Sequence, residues 1–428
     1  MSHIKQSANS ASLPPSLTPE AQAFGRKLIQ RFFTLNGISI AFLMDNVLIL
    51  YAIRNGVPDP VVAVIASFLY LTMPFMIFGK VSLAKIGAAR SWSLSWTLRY
   101  LSAAIMILAP PVSQIAPQPV VTLVIVLGAF GFALFRSMGI VCAIPLEGDV
   151  TTPGIRGNFL AGNLLRANAT QILSTIFLIG VIHFRDDLWV YQLLIAAACI
   201  IGIYASRMLA HIPESHVPKA SARKPLSEAI TKIIASAKIK KLIYAWCAGS
   251  AAYMMVIPFQ MIAVKSGYGV SDSTAVSFSL LLMAGGIVSA LVNRVIADKI
   301  GPKPILVTNT ALLLICTGFW AAAPATFYSV PVGITFFIAG FCKIGILQGQ
   351  SHSFLSSVKD TDRVGINMFV RIVSGAAAGI AGSVLGGGIL SLVETVGVTG
   401  MDIHRFYFRF TLILLVGFVA VVSRLEDS

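Results

Sequence analysis

The stretch Lys80-Val-Ser-Leu-Ala84-Lys85-Ile86-Gly87-Ala-Ala-Arg90 returns in altered form as Arg294-Val-Ile-Ala-Asp298-Lys299-Ile300-Gly301-Pro-Lys303. Both copies carry Lys-Ile-Gly followed within three residues by a further base, and each lies between long apolar runs. Gly87 and Gly301 are 214 residues apart (301 − 87), half of the 428-residue chain. A basic loop written twice at half-length spacing in an apolar chain points to two related membrane-embedded halves, a plan common in transporters.

Composition agrees. Hydrophobic residues make up 56% and charged residues 11% of the chain, about half the charged share of a soluble domain. Twelve apolar stretches, each near the roughly 20 residues that cross a bilayer as helix, begin near Phe32, Pro60, Ser91, Val120, Asn158 and Leu188, then Leu242, Ser273, Pro304, Val330, Gly365 and Phe406. They are continuously apolar rather than alternating, so helices and not barrel strands are expected. The expected organisation is a polar leader over 1–30 without a cleavable signal, a six-helix bundle over 31–207, a basic linker over 208–240, a second six-helix bundle over 241–424 and a short tail over 425–428. Within the linker, the piece from Leu226 to Lys238 has apolar residues at helical spacing with bases between, the pattern of a surface-lying amphipathic helix or a plain linker helix.

The net charge of +15 is unevenly placed. Bases crowd the leader, the two repeated loops and the linker, whereas the alternate loops carry only Arg54, Arg185, Lys265 and Arg405. This asymmetry predicts both termini on the cytoplasmic side. The excess charge is therefore topological, with a bilayer and not a nucleic acid as its partner.

Twelve spans divided six and six by a basic linker, with a basic loop after the second and eighth, resemble the major facilitator superfamily. Its signature loop reads G-x-x-x-D-[RK]-x-G-x-[RK]. The second half supplies Asp298, Lys299, Gly301 and Lys303, with Arg294 at the first glycine position. The first half supplies Lys85 and Gly87, with Ala84 at the acidic position and Lys80 at the first glycine. The resemblance implies an all-α fold of two pseudo-symmetric six-helix bundles and alternating access to one site near the membrane midplane. It also implies gating loops at Lys85, Gly87, Asp298, Lys299, Gly301 and Lys303. Length, leader and linker are further similar to the magnetosome-membrane (MamH-like) branch of permeases. That similarity implies an iron species as cargo, in a bacterial inner or magnetosome membrane.

Charges inside the spans are the main functional clue, because each costs at least about 2.5–3.5 kcal/mol at a helix centre and is seldom idle. Arg136 and Lys343 are 207 residues apart, and Arg166 and Arg371 are 205 apart, so the halves match base for base. Arg99 and Arg409 are further intramembrane bases with stems long enough to snorkel. The single clear intramembrane acid is Asp45, in Leu-Met-Asp-Asn-Val; Glu147 and Asp149 are expected just beyond the fourth span, beside Arg156 or Arg166. Arg136, Lys343, Asp45, Arg166 and Arg371 are thus the candidate substrate-binding set, and more bases than acids favour an anionic solute. Interhelical ion pairing is the structural alternative. Asp45 is the candidate proton carrier, since a desolvated carboxylate titrates as its surroundings change; a fixed ion pair or a helix cap is the other reading. Tyr253, Met254 and Met255 are expected at comparable depth in the seventh span.

Nothing points to a cofactor. The histidines are scattered, and no C-x-x-C or H-x-x-x-H occurs to fix a metal. The five cysteines fall within or at the ends of spans as buried thiols. Gly375, Gly379, Gly382 and Gly386 of the eleventh span are read as close-packing positions. No nucleophile, base and orienter suggest an enzyme. A facilitator homologue that acts as receptor or scaffold, without transport, is the reading from another class.

Overall fold

The computed structural model describes residues 14, 16–43, 46–185, 187–223, 225–358, 363–398 and 400–425. Its helices are α1 (Pro19–Leu43), α2 (Asn46–Arg54), α3 (Asp59–Leu71), α4 (Met76–Ile86), α5 (Ala88–Ala104), α6 (Ala109–Val112), α7 (Gln118–Asp149), α8 (Pro153–Phe184) and α9 (Leu188–Leu209). The linker forms α10 (His216–Ala222) and α11 (Leu226–Ala235). There follow α12 (Ala237–Ile262), α13 (Asp272–Ile300), α14 (Pro302–Ala321), α15 (Ser329–Ser357), α16 (Arg363–Ile380), α17 (Gly388–Thr395) and α18 (Met401–Ser423).

Eleven helices among the described residues are long and apolar enough to cross a membrane. The stretch expected from near Ser91 differs from them. It is α5, only 17 residues long, continued by a 3-10 turn over Ile105–Leu108 and by α6, which contains Pro110 and Pro111. Serines and Arg99 dilute its hydropathy, and it is buried between α7 and α9. Protein rather than lipid solvates its polar side chains.

Helices α1 to α9 pack into one bundle and α12 to α18 into another. The bundles meet along two seams: α3 lies on α16 and its π-helical continuation over Ala381–Gly387, and α8 lies on α13. The second element of one half thus meets the fifth of the other, twice, as a two-fold relation requires. The first seam depends on the eleventh-span glycines. A Cβ added at Gly379 would lie 2.7 Å from the Leu71 backbone nitrogen, so only glycine lets these helices approach so closely.

The repeated loops are the same turn. Gly87 (φ 92°, ψ 168°) separates α4 from α5, and Gly301 (φ 75°, ψ 175°) separates α13 from α14. Positive φ with ψ near 170° is essentially restricted to glycine and costs another residue about 1–3 kcal/mol, which is why each Lys-Ile run ends on glycine.

The linker touches both halves. Helix α10 rests on α4 and α7, whereas α11 rests on α16 and α12 rather than standing apart from the bundles. Leu226 packs against a cluster of Met73 and Met76 from the first half and Met368 from the second.

Candidate functional site

Between the halves lies a cavity of about 110 Å³ whose walls come from α1, α2, α3, α7 and α8 on one side and α12, α13 and α15 on the other. Its wall is mostly apolar: Ile65, Phe68, Phe132, Met254 and Ile257 are representative. Tyr70, Gln171, Thr175, Tyr253 and Ser279 add neutral polar groups. The rings of Tyr70 and Tyr253 meet across the two halves with centroids 5.9 Å apart. Pro258, also in the wall, removes one backbone bond from α12 and loosens the helix at this depth.

Lys343 is the one charged side chain among the described wall residues. It is half-buried, and no described carboxylate pairs with it. An ammonium held in apolar surroundings without a counter-charge is costly, and an anion entering the cavity would relieve that cost.

The other expected site residues are placed differently. Arg136 sits one turn beyond Phe132 and Ala133 on α7, towards the linker, outside the cavity wall. There it is in electrostatic reach of both Arg99 and Arg371. Arg371 is exposed and its Nε donates to Asn367 Oδ1 at 3.2 Å; Arg166 is exposed as well. The structure thus brings Arg136 and the exposed Arg371 together in a basic vestibule, apart from Lys343, with Arg99 buried behind them. Asp45 lies outside the described residues, as do the side chains of Arg156, Arg363, Asp298 and Lys299. Lys85 is exposed and Lys303 half-buried at the two loops.

Several expectations change. Arg99 does not snorkel: it is 1% exposed, with its guanidinium 4.0 Å from the Phe132 ring centroid and close to Trp96 and Tyr100. Aromatic faces supply the negative potential that holds a cation away from water. Arg409 is tied to the end of α14, donating from Nε to the Ala321 carbonyl at 3.2 Å, where a cation meets the negative end of the helix. Glu147 and Asp149 end α7, whose 32 residues outrun the roughly 20 that cross a bilayer. The Asp149 carboxylate accepts from the Ser215 amide at 2.5 Å and its hydroxyl at 2.6 Å. Tyr253 and Met254 face the cavity, but Met255 packs on Ala251 and Ala381 behind it.

A seal closes the face opposite the linker, and no local pattern along the chain signals it. Asp272, fully buried at the start of α13, accepts from Arg54 Nε and from the Tyr191 hydroxyl, each at 2.5 Å, and pairs with Lys265. Arg54 and Tyr191 belong to the first half, Asp272 and Lys265 to the second. Nearby, the Ser266 hydroxyl donates to Asp59 Oδ1 at 2.8 Å, again across the halves.

The family model of the Major Facilitator Superfamily matches residues 32–383. The chain belongs to the major facilitator superfamily. No curated protein is similar enough in sequence to count as a relative. Among solved structures, the fold is similar to a point mutant of the nucleoside transporter NupG (TM-score 0.70, 12% identity, 93% of this chain and 99% of that one). It is similar to a bacterial homologue of the human lysosomal transporter Spinster, inward-facing and unoccupied (TM-score 0.67, 15% identity, 95% and 97%). It also resembles a point mutant of the E. coli fucose:proton symporter FucP (TM-score 0.57, 12% identity, 94% and 100%). At these identities the likeness establishes the facilitator fold.

Within this facilitator the first signature loop has its acid supplied from elsewhere. Ala84 stands at the acidic position, but Glu214 of the linker reaches the loop and accepts from the amides of Ala88 (2.6 Å) and Ala89 (3.1 Å). It caps α5, whose first amides have no partner within the helix. Burial pushes the Glu214 carboxyl above its usual range, while these two amides pull it back down. A Cβ at Gly87 would fall on the same carboxylate. Gly87→Ala is therefore expected to lower the thermal unfolding midpoint in detergent well below that of Gly301→Ala. The latter has no described atom within 4 Å of the new methyl and carries only the backbone cost of about 1–3 kcal/mol. Equal losses in the two variants would mean that Glu214 is not seated on the loop.

Proposed function

We propose that this facilitator is a secondary active transporter that moves a small organic anion by alternating access, driven by protons. The observation that carries the reading is Lys343, the one charge among the described residues of an apolar cavity held between the two halves. The two-fold seams and the linkages on either side of the cavity support alternating access: Asp272 with Arg54 and Tyr191 on one face, and Met73, Met76 and Met368 on the other. Opening either face breaks one set and keeps the other, as rocking of one half against the other requires. The basic vestibule of Arg136 and Arg371 would draw anions towards the cavity from the linker side.

Asp45 keeps its assignment as proton carrier on the strength of the sequence. The arrangement of bases supports cytoplasmic termini in a bacterial inner membrane. The magnetosome resemblance adds iron species to the substrate candidates, although no described group of three His, Cys, Asp or Glu gathers to hold a metal. In proteoliposomes, an inward proton gradient is expected to raise organic-anion uptake several-fold over the gradient-free control, and Asp45→Asn to abolish that increment while leaving counterflow exchange intact. Gradient-stimulated uptake persisting in Asp45→Asn would remove Asp45 from the coupling step. A folded, monodisperse protein with neither uptake nor exchange for any anion would favour the receptor or scaffold reading.

A further inference from the structure

We propose that the transported anion is a compact, largely apolar monocarboxylate, such as an arylacetate, bound with its carboxylate at Lys343 and its body among Ile65, Phe68, Phe132 and Met254. The inference rests on the transport reading and adds to it the charge, size and polarity of the cargo.

Charge comes first. Lys343 is the only cation among the described wall residues, and one ammonium neutralises one carboxylate. The bases that would satisfy a second or third carboxylate, Arg136 and Arg371, are not in the wall but in the vestibule. A di- or tricarboxylate held here would leave a charge desolvated and unpaired, which an apolar cavity penalises heavily. A neutral polar solute would leave the lysine without a counter-charge among the described wall residues.

Size follows from the cavity. At about 110 Å³ the cavity is small and suits a compact solute better than a bulky chelate. Ferric citrate is larger and carries more polar surface than this wall can satisfy.

Polarity is set by what surrounds the lysine. The neutral groups are Gln171, Thr175, Ser279 and the phenols of Tyr70 and Tyr253, and the Thr175 hydroxyl already donates to the Gln171 backbone carbonyl at 2.8 Å. The remaining surface is aromatic and aliphatic from both halves. An aryl or branched aliphatic body gains by leaving water for such a wall, whereas a hydroxyl-rich body would lose more hydrogen bonds than it finds. Sites of this make-up, apolar with a few placed polar groups, orient a ligand by its one charged end.

Binding and flux test the inference separately. Purified full-length protein is titrated with phenylacetate, citrate, ferric citrate and uridine, following the thermal midpoint in detergent, and the same compounds are tried in counterflow in proteoliposomes. Phenylacetate is expected to raise the midpoint and to exchange. Citrate, ferric citrate and uridine are expected to do neither. Lys343→Gln is expected to weaken phenylacetate at least ten-fold, and Lys343→Arg, which keeps the charge, to retain most of the affinity and to show that the site still folds. A larger shift with citrate, ferric citrate or uridine, or an undiminished phenylacetate shift in Lys343→Gln, overturns the substrate class and leaves the transport reading standing if that other compound exchanges. A Lys343-dependent phenylacetate shift without exchange of any compound overturns transport itself, and with it the proposal. No shift with any of the four in folded protein overturns the proposal as well.

Discussion

Lys343→Ala is expected to lower anion uptake, as kcat/KM, by about a hundred-fold while leaving the protein as stable as before or more so. Removing one partner of a desolvated charge pair costs roughly 2–5 kcal/mol, and about 1.4 kcal/mol corresponds to each factor of ten. A loss of about 3 kcal/mol therefore gives about two orders of magnitude. The stability outcome has the opposite sign to the usual core substitution. In the empty protein the ammonium is set in an apolar wall with no described carboxylate beside it, so deleting it removes an unfavourable burial. Arg409→Ala makes the contrast, because Arg409 holds the end of α14 through the Ala321 carbonyl; it should lower the midpoint and spare uptake. Initial rates in proteoliposomes and thermal unfolding in detergent check both signs. Unchanged uptake with a lowered midpoint for Lys343→Ala would make the lysine a structural residue.

Asp272→Ala should open the face opposite the linker. The carboxylate is fully buried and is the common acceptor for Arg54, Tyr191 and Lys265. Its loss takes the shared acceptor from Arg54 and Lys265, and breaking a buried pair in this way costs about 3–5 kcal/mol. Because Arg54 and Tyr191 lie in the other half, that penalty falls on the closed arrangement of this face. In a background without the five native cysteines, Ser279→Cys reports on the cavity wall. A membrane-impermeant maleimide added from that side should label it at least ten-fold faster when Asp272→Ala is also present, and uptake should fall by a similar factor. Tyr191→Phe removes one hydrogen bond of three contacts, a net effect of about 1 kcal/mol, and should shift labelling only modestly. Labelling unaffected by Asp272→Ala would place the gate elsewhere.

Much of the architecture was legible before any coordinates. The apolar runs marked the helices because a bilayer imposes a length and a polarity that survive any packing. The repeated loops were legible because a positive φ is a local demand, met by Gly87 and Gly301 whatever surrounds them. The stretch from Ser91 reads in sequence as a span of ordinary length. It is α5 with its 3-10 and α6 continuation, helical throughout 88–112 but less apolar than the other spans, because its serines and Arg99 are solvated by neighbouring helices that hydropathy does not see.

The site was legible in residue type and not in arrangement. The pairing of Arg136 with Lys343 follows from the duplication, yet the wall takes Lys343 and the vestibule takes Arg136. A helix turns about 100° per residue, and which side faces the cavity depends on the neighbours against which it packs. Asp272 and Glu214 carry no local sequence signal for a related reason: each meets its partner in another bundle element, Asp272 with Arg54 across 218 residues and Glu214 with Ala88 across 126. Hydrophobic length and glycine turns are properties of a few consecutive residues, so the sequence alone determined the membrane helices, the duplication and the loop geometry. Burial and charge pairing belong to residues that only folding brings together, so the placement of Lys343 in the cavity wall, the seal at Asp272 and the acid lent to the first loop were decided by the tertiary structure.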